Sequence, residues 1–270
     1  LCLAVIKQSN ARMSEMKEPF VTSVFTATSH GPFDLPERYK GKFPTGDDPL
    51  FETVAYSDYA IQRFFEKAEK QPWFENTLFV ITADHTSGNC YPEYVTDLGY
   101  YNVPVIFYAP GLPELKGLDK EKIVDQIDIM PTVLGLCGLG DSIPAEVQGR
   151  NFAPLFFDEK AEIVRPTGAL YIQNVDGDKD ENGLVQTYFP SSRGIKTAQY
   201  TLALYIDRDT KQLKKSLLFD DVKDPYQLHN LPLEENKEIV AQLCGEMGAM
   251  LKEINDPWYT EKILSDRIPY

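Results

Sequence analysis

The sequence lacks the features that would place it in several large classes of protein. It has no apolar run close to the roughly 20 residues that a membrane-spanning helix needs, since the apolar start at residues 1–6 ends at Lys7. Its four cysteines are widely spaced and form no CxxC pair, so neither a zinc cage nor a disulfide framework is indicated. Basic residues number 27 against 41 acidic ones. The resulting net charge of -14 argues against binding a nucleic acid or an anionic membrane through a basic face.

What is present indicates a folded protein with a full hydrophobic core. Hydrophobic residues make up 43% and charged residues 25% of the 270 positions, close to the globular average. This length allows one large domain or two small ones, and we predict a chain in two parts. Because the chain begins with leucine, we also expect a processed, cleaved or trimmed product, with any targeting signal upstream of residue 1.

Helices and strands alternate in the first part of the chain. The spacing of apolar residues predicts three helices, at 2–16, 51–70 and 128–139, the second of them capped by Asp47 or Asp48. Runs of β-branched, aromatic or continuous apolar residues predict three strands, at 20–27, 78–83 and 103–108. This alternation indicates an α/β architecture, a mainly parallel sheet with helices on both faces.

The pattern changes after about residue 155. Strands without helices between them are predicted at 171–174, 193–206 and 213–219, followed by a long amphipathic helix at 234–254. We therefore divide the chain into a first domain at 1–155 and a small α+β subdomain with antiparallel strands at 156–270. The acidic loop at 176–183 is similar to a calcium loop, but it lacks the later glutamate of an EF-hand, so calcium is not favoured there.

Asp84 and His85 follow directly after the predicted buried strand at 78–83. A carboxylate oxygen and an imidazole nitrogen are both good ligands for a divalent cation. Successive side chains on an extended strand point to opposite faces, so both can reach one ion only if the backbone turns at this point. The Thr-Ser-Gly sequence that follows favours such a turn. The alternative is that Asp84 caps the next segment and His85 only packs against its surroundings.

His30 lies after the predicted strand at 20–27 and directly before a Gly-Pro pair. The Gly-Pro pair breaks the strand, so His30 should stand at a strand end, where open α/β sheets gather their ligand groups. An imidazole there can donate a hydrogen bond to an anionic ester oxygen or protonate a leaving group. The alternative is a loop histidine satisfied by the backbone. The third histidine, His229, is interpreted as surface structure.

Six segments in order resemble the sulfatase family of the alkaline-phosphatase superfamily, and they cover nearly the whole chain. The segments are 17–32, 54–61, 76–85, 125–134, 148–155 and 193–231. The resemblance implies that 1–155 is the C-terminal part of a sulfatase-type catalytic domain, with a partial alkaline-phosphatase-like core, and that 156–270 is the sulfatase C-terminal subdomain. It also implies that His30 contacts the sulfate or phosphate group, and that Asp84 and His85 ligate a divalent cation, Ca²⁺, Mg²⁺ or Mn²⁺.

Two departures from the family pattern limit what this chain can do alone. It contains no Cys-x-Pro-Ser-Arg or Ser-x-Pro-Ser-Arg segment, whose first residue sulfatases convert into the formylglycine nucleophile. The family's acidic ligands from its first strand are also absent. We expect both upstream of residue 1, and we expect the isolated chain to bind divalent cations poorly and to be inactive.

The second departure concerns the ester that is cleaved. Sulfatases commonly place a lysine shortly after the aspartate pair, but no lysine occurs between Lys70 and Lys116. Residues 94–107 instead resemble the lipoteichoic-acid-synthase-like branch, which transfers phosphoglycerol. The C-terminal subdomain is more typical of sulfatases, and we favour a sulfuric ester hydrolase over a phosphoglycerol or phosphoethanolamine transferase. A noncatalytic, degenerate binding domain is the third hypothesis.

The resemblance also suggests partners and a location. The expected partner is a sulfated or phosphorylated small molecule, glycan or lipid, and no nucleic acid is expected. Family analogy alone places such enzymes outside the cytoplasm, in a periplasm, at a cell surface or in a lysosome.

Overall fold

The computed structural model describes most of the chain. The described residues are 2–86, 91–112, 117, 122–158, 160–161, 168–170, 176–179, 185–188 and 191–268. They fall into two compact units, the first formed by Leu1–Val80 with Phe107–Pro113 and the second by Ile81–Ile106 with Glu114–Tyr270. The domain boundary expected at residue 155 stays a prediction.

Two packed helices form much of the first unit, α1 (Cys2–Met13) and α2 (Pro49–Ala68). As predicted, α2 is capped by Asp48, whose carboxylate accepts the backbone N–H of Leu50 at 2.8 Å. Buried apolar residues from both helices, such as Ile6 and Ala60, belong to one core cluster. Near the far end of both helices the Asn10 amide donates to the carbonyl oxygen of Phe64 at 3.2 Å, which ties α1 to α2.

The predicted strands at 78–83 and 103–108 are confirmed in shorter form, as β1 (Phe79–Thr82) and β2 (Val105–Tyr108), which pair with each other. Within the first unit, Phe79 of β1 stacks on Tyr108 of β2 with ring centroids 5.9 Å apart. The expectation that β1 is covered on both faces is wrong, because three of its residues are only half-buried and Thr82 is exposed.

The strand predicted at 20–27 is not formed. In the described structure these residues carry no strand pairing, and most of them are exposed, with Val21 at 94% and Phe25 at 75% of full exposure. The β-branched and aromatic content favours extended backbone, but a strand exists only where a neighbour accepts and donates the ladder hydrogen bonds. The premise that His30 follows a strand is therefore wrong for this structure.

An antiparallel sheet dominates the second unit, with the strand order β3-β6-β7-β8. Its strands are β3 (Gly168–Leu170), β6 (Ser191–Lys196), β7 (Tyr200–Ile206) and β8 (Leu213–Asp220), and a separate hairpin joins β4 (Asp176–Lys179) to β5 (Val185–Tyr188). The one strand predicted at 193–206 is thus two, because Thr197 closes a turn by accepting the backbone N–H of Tyr200 at 2.8 Å. The strand predicted at 171–174 and residues 180–183 of the acidic loop lie outside the described residues.

Among the described residues of the second unit, the α-helices are α3 (Ile129–Leu136), α4 (Lys237–Glu253), α5 (Pro257–Thr260) and α6 (Ile263–Arg267). The helices predicted at 128–139 and 234–254 are confirmed as α3 and α4. The apolar face of α4, including Val240 and Met247, packs with Leu202 and Leu204 of β7 in one buried cluster. In the described part of the chain, no helix combines the length and the apolar character that a bilayer crossing requires.

Candidate functional site

The backbone bends directly after β1, and this bend brings the side chains of Asp84 and His85 to the same side. Asp84 Oδ1 accepts the backbone N–H of His85 at 3.0 Å. Asp84 Oδ2 and His85 Nε2 lie 3.7 Å apart. Both groups can thus reach one point in space, as cation binding requires and as an uninterrupted strand would forbid.

A hydrogen bond fixes the tautomer of His85. Its Nδ1 lies 2.7 Å from the carbonyl oxygen of Thr86, and because a carbonyl oxygen can only accept, Nδ1 carries the hydrogen. In the neutral ring the lone pair is then on Nε2, the atom nearest the Asp84 carboxylate. Metal-ligating histidines are commonly oriented in this way, with the second ring nitrogen donating to a carbonyl or carboxylate.

The pair fits part of a cation site. Two ligand atoms at about 2.0 to 2.6 Å from one ion are roughly 3 to 4 Å apart when the ligand angle is near 90 to 110°, and 3.7 Å lies in that range. Both side chains are accessible, with Asp84 65% and His85 40% exposed. Across the described residues no group of three or more His, Cys, Asp or Glu side chains is arranged to hold a metal ion. The geometry of the pair therefore suits two ligands of a larger set, and cation binding stays a prediction.

The ring of Tyr100 packs against the ring of His85. The two rings stack with centroids 4.5 Å apart and planes 15° apart. Beyond the imidazole, the backbone N–H of Thr86 donates to the carbonyl oxygen of Tyr100 at 2.7 Å, and the Thr86 hydroxyl donates to the carbonyl oxygen of Tyr94 at 3.0 Å. The segment at 91–101 therefore positions both the ring of His85 and the backbone that follows it.

Close packing determines the path of segment 91–101. The segment contains two short 3-10 turns, Pro92–Tyr94 and Gly99–Tyr101. A Cβ atom on Gly99 would lie 1.9 Å from the carbonyl oxygen of Glu93, so only glycine fits there without movement.

Burial, with smaller contributions from neighbouring Tyr100 and Asp97, raises the pKa of Tyr101, so this phenol stays neutral at physiological pH.

The same segment is attached to the antiparallel sheet of the second unit. Leu98 packs against a buried cluster that includes Leu217 and Phe219 of β8. Asp97 forms an ion pair with Lys215 of the same strand. The C-terminal sheet thus supports the segment that in turn orients His85.

Gln126 contacts the backbone at the bend, and sequence reasoning did not identify this contact. Its side-chain amide donates to the carbonyl oxygens of Ala83 at 2.6 Å and Asp84 at 3.3 Å, which satisfies the backbone at the bend. The Asp-Gln-Ile-Asp sequence at 125–128 belongs to one of the six segments that resemble the sulfatase family. Nothing in that sequence says that the amide reaches back more than 40 positions.

A buried ion pair stabilises the region around Gln126. Asp128, 1% exposed, accepts from the Arg150 guanidinium at 2.7 Å and from the Arg150 backbone N–H at 2.6 Å. Asp128 Oδ2, the oxygen that accepts from the guanidinium, also accepts the backbone N–H of Asp125. This bond is part of a capping box at the 3-10 turn Gln126–Asp128. Arg150 reaches further, to the carbonyl oxygen of Ile123 at 3.0 Å. The network fixes the turn that carries Gln126.

His30 lies in an exposed turn of the first unit. Its backbone N–H donates to the carbonyl oxygen of Ala27 at 3.3 Å, and its ring Nδ1 lies 2.9 Å from the carbonyl oxygen of Gly31. By the same argument as for His85, Nε2 is the ring nitrogen left available. Asp84 and His85 belong to the second unit, so a common site for all three residues stays a prediction.

Two family models match the chain. The Sulfatase model matches residues 5–139, and the model for the C-terminal region of N-sulphoglucosamine sulphohydrolase matches residues 100–253. A structure of a protein in the alkaline-phosphatase superfamily, 18% identical, shares the fold of this chain. The Sulfatase model covers half of the chain, and the chain therefore belongs to the sulfatase family.

Relatives of known name agree with this assignment. An endo-4-O-sulfatase of Bacteroides thetaiotaomicron is 62% identical over 225 residues, which covers 82% of this chain and 44% of the relative. An ulvan-active sulfatase of Formosa agariphila is 25% identical over 94% of the chain and 52% of the relative. Lipoteichoic acid synthase 1 of Bacillus subtilis is 30% identical over 49% of the chain and 23% of the synthase, so similarity to that branch is confirmed. The chain spans about half the length of the sulfatases it matches.

Solved structures confirm the fold class. One similar structure, designated 4S-sulf, comes from work on the metabolism of multiple glycosaminoglycans by Bacteroides thetaiotaomicron. The match covers 82% of this chain and 47% of the chain in that structure, with a TM-score of 0.65 and 56% identity. The putative sulfatase structure from Bacteroides fragilis matches 96% of this chain and 59% of its own, with a TM-score of 0.70 at 18% identity. The chain therefore has a partial α/β fold of the alkaline-phosphatase superfamily with a small antiparallel C-terminal part.

Proposed function

We propose that the whole protein is a metal-dependent sulfuric ester hydrolase that acts on a sulfated glycan. The observation that carries this proposal is the convergence of Asp84 Oδ2 and His85 Nε2, 3.7 Å apart, on a bend after a strand. Two electron-rich atoms at this distance repel each other unless a cation or a proton lies between them. The 62% identity to an endo-4-O-sulfatase supports the reaction, and the glycosaminoglycan context of the 4S-sulf structure supports a 4-O-sulfated glycosaminoglycan as the substrate class.

Each residue has a defined role in this proposal. The Asp84 carboxylate and His85 Nε2 hold a divalent cation, Ca²⁺, Mg²⁺ or Mn²⁺, and Tyr100 and Thr86 orient the imidazole. Such a cation, when bound, polarises ester oxygens and offsets developing negative charge. His30 binds a sulfate oxygen or donates a proton to the leaving oxygen. A formylglycine outside this sequence supplies the nucleophile, and family analogy places the whole protein outside the cytoplasm.

Sulfate release by the whole protein tests the roles. We expect Asp84→Asn, His85→Gln and His30→Ala each to lower the rate of sulfate release from a 4-O-sulfated glycosaminoglycan oligosaccharide by about 100-fold or more. The matched control is His229→Gln, because His229 is 84% exposed and pairs only with Asp224 among the contacts of its side chain that the structure records. Full activity of the Asp84 and His85 variants would refute the assignment.

Metal titration separates the enzyme from a degenerate scaffold. The whole protein should bind one divalent cation stoichiometrically, and Asp84→Asn should weaken that binding. If the whole protein binds none of Ca²⁺, Mg²⁺ or Mn²⁺, the noncatalytic binding domain becomes the better hypothesis.

A phosphoglycerol or phosphoethanolamine transferase is the second candidate. It is favoured by the 30% identity to lipoteichoic acid synthase 1 over 151 residues. Against it stands the sulphohydrolase C-terminal model, which matches 100–253 and therefore includes the β7–β8 sheet. Release of glycerol phosphate from phosphatidylglycerol, without release of sulfate from the glycan, would favour the transferase.

A further inference from the structure

A groove between α1 and α2 concentrates positive charge in a strongly acidic chain. Its volume is about 190 Å³. Three of its lining residues are the cations Lys7, Arg63 and Lys67, and two others are Tyr39 and Tyr59. No carboxylate lines it in the described structure, although acidic residues exceed basic ones by 41 to 27 in the sequence.

Helix geometry explains how these side chains meet. Tyr59, Arg63 and Lys67 are spaced by four residues along α2, so they form one stripe on its surface. Lys7 projects from α1 toward the same groove, whose floor includes the buried side chain of Ile6. The hydrogen bond from Asn10 to α2 holds the two walls together. The cations therefore stand on rigid elements rather than on loops.

The charges of the groove are only partly offset. Arg63 pairs with Glu66 one turn further along α2. Lys7 and Lys67, by contrast, are exposed and form no ion pair with the residues that the structure describes. Two cations without an ion pair beside one concave surface raise the local concentration of anions.

The tyrosines give the groove a second property. The rings of Tyr39 and Tyr59 have centroids 6.1 Å apart and planes inclined by 54°. Tyrosine rings offer an apolar face and a polar hydroxyl, a combination that suits the alternating C–H and O–H surface of a sugar. The Arg38 guanidinium lies 5.0 Å from the centre of the Tyr39 ring and adds a further cation at this edge.

We propose that this groove binds an anionic sugar unit of a glycan, a pyranose that carries a carboxylate or a sulfate. The cations pair with the anionic group, and the tyrosines contact the ring. The volume suits one sugar unit, since it is below the roughly 300 to 1,000 Å³ of sites that enclose a larger ligand. The glycan class rests on the proposed function, but the groove uses none of the residues assigned to hydrolysis.

Binding of a sulfated, uronic-acid-containing tetrasaccharide to the whole protein tests this. The measurement is made in an Asp84→Asn background, so that turnover does not consume the ligand. We expect Lys7→Gln with Lys67→Gln to raise the Kd by about ten-fold or more, because each charged hydrogen bond contributes on this scale. The matched control is Lys237→Gln with Lys252→Gln, which removes the same charge from the exposed face of α4 and should leave the Kd within about two-fold.

Three results would overturn the proposal. Equal weakening of binding by the groove and control variants would show that net charge alone governs affinity. Unchanged binding of the tetrasaccharide by the groove variant, at an unchanged melting temperature, would show that the groove does not hold the ligand. An equal loss of affinity for a single-stranded DNA oligonucleotide of the same charge would indicate a general polyanion surface. Absence of sulfate release, with binding still weakened by the groove variant, would refute the proposed function alone.

Discussion

The imidazole of His85 stacks on the phenol ring of Tyr100, with centroids 4.5 Å apart and planes 15° apart. The carbonyl oxygen of the same tyrosine accepts the backbone N–H of Thr86. One residue therefore constrains both the ring of a proposed metal ligand and the chain that follows it. In the proposed metal site Tyr100 therefore acts by positioning His85.

Removing the Tyr100 ring should weaken the metal site without removing a ligand. We predict that Tyr100→Ala lowers the affinity of the whole protein for its divalent cation by about 10- to 100-fold, as loss of orienting contacts does in other metal sites. Tyr100→Phe keeps the stack and should bind within about three-fold of the parent. Isothermal titration with the cation measures both. Equal affinities for all three proteins would show that the stack is incidental.

Close packing at Gly99 determines the backbone position of the adjacent Tyr100. A methyl group there would meet the carbonyl oxygen of Glu93 at 1.9 Å and the Thr96 hydroxyl at 2.6 Å. We predict that Gly99→Ala costs about 1 to 3 kcal/mol of stability, because the backbone must move, and that it lowers metal affinity as Tyr100→Ala does. The free energy of unfolding in urea and the cation titration are the measurements.

Gly245 provides the control for the Gly99→Ala substitution. It lies on the exposed face of α4, and an added Cβ would meet nothing within 4 Å. Gly245→Ala should therefore stabilise the protein by about 0.5 to 1 kcal/mol through helix propensity. If both substitutions change stability in the same direction, the close approach at Gly99 does not control the segment.

The sequence was sufficient to predict the bend that brings Asp84 and His85 together, but not the contacts that support it; cation binding by the pair stays a prediction. A continuous apolar run followed by Asp84, His85 and a turn-forming sequence is a local pattern, and the bend is a local consequence of it. Tyr100 and Gln126 act through tertiary contacts across 15 and more than 40 positions, and no periodicity records such contacts. His30 and the Asp84–His85 pair lie in different units, so a site common to all three residues stays a prediction.

The strand predictions were wrong where hydrogen bonding to a neighbouring strand, rather than residue composition, decides whether a strand forms. The segment 20–27 has strand-like residues, yet the described structure gives it no ladder partner. Conversely, the run at 193–206 is apolar almost throughout its second half, and Thr197 nevertheless divides it by a side-chain hydrogen bond that hydrophobicity does not reveal. The long helices α2 and α4 were predictable, because their apolar periodicity is local to each segment, and α2 also has a capping aspartate, Asp48, directly before it.

The buried pair of Asp128 and Arg150 should be among the most sensitive points of the fold. We predict that Arg150→Met destabilises the whole protein by about 3 to 5 kcal/mol, because it leaves the Asp128 carboxylate buried without its cation. The Arg150 side chain is 4% exposed in this pair, so water cannot replace the guanidinium. Urea unfolding measures the loss.

An exposed arginine supplies the control for that substitution. Arg12→Met, near the end of α1, removes the same group from a solvated surface and should change stability by less than about 0.5 kcal/mol. If Arg150→Met is equally mild, the buried network contributes little, and Gln126 must be held by other contacts.

Cys137 and Cys244 should differ sharply in reactivity. Burial raises the pKa of the Cys244 thiol to about 12, whereas Cys137 is exposed. The thiolate is the form that reacts, and at pH 8 only roughly one Cys244 in ten thousand is ionised. We predict that iodoacetamide at pH 8 alkylates Cys137 and spares Cys244 in the folded protein. Raising the pH toward 10 should leave Cys244 still largely protonated, because a raised pKa delays ionisation, and mass mapping of the two peptides follows both reactions. In urea both cysteines should react, and equal labelling of Cys244 in the folded protein would mean that α4 does not pack on the sheet as the structure shows.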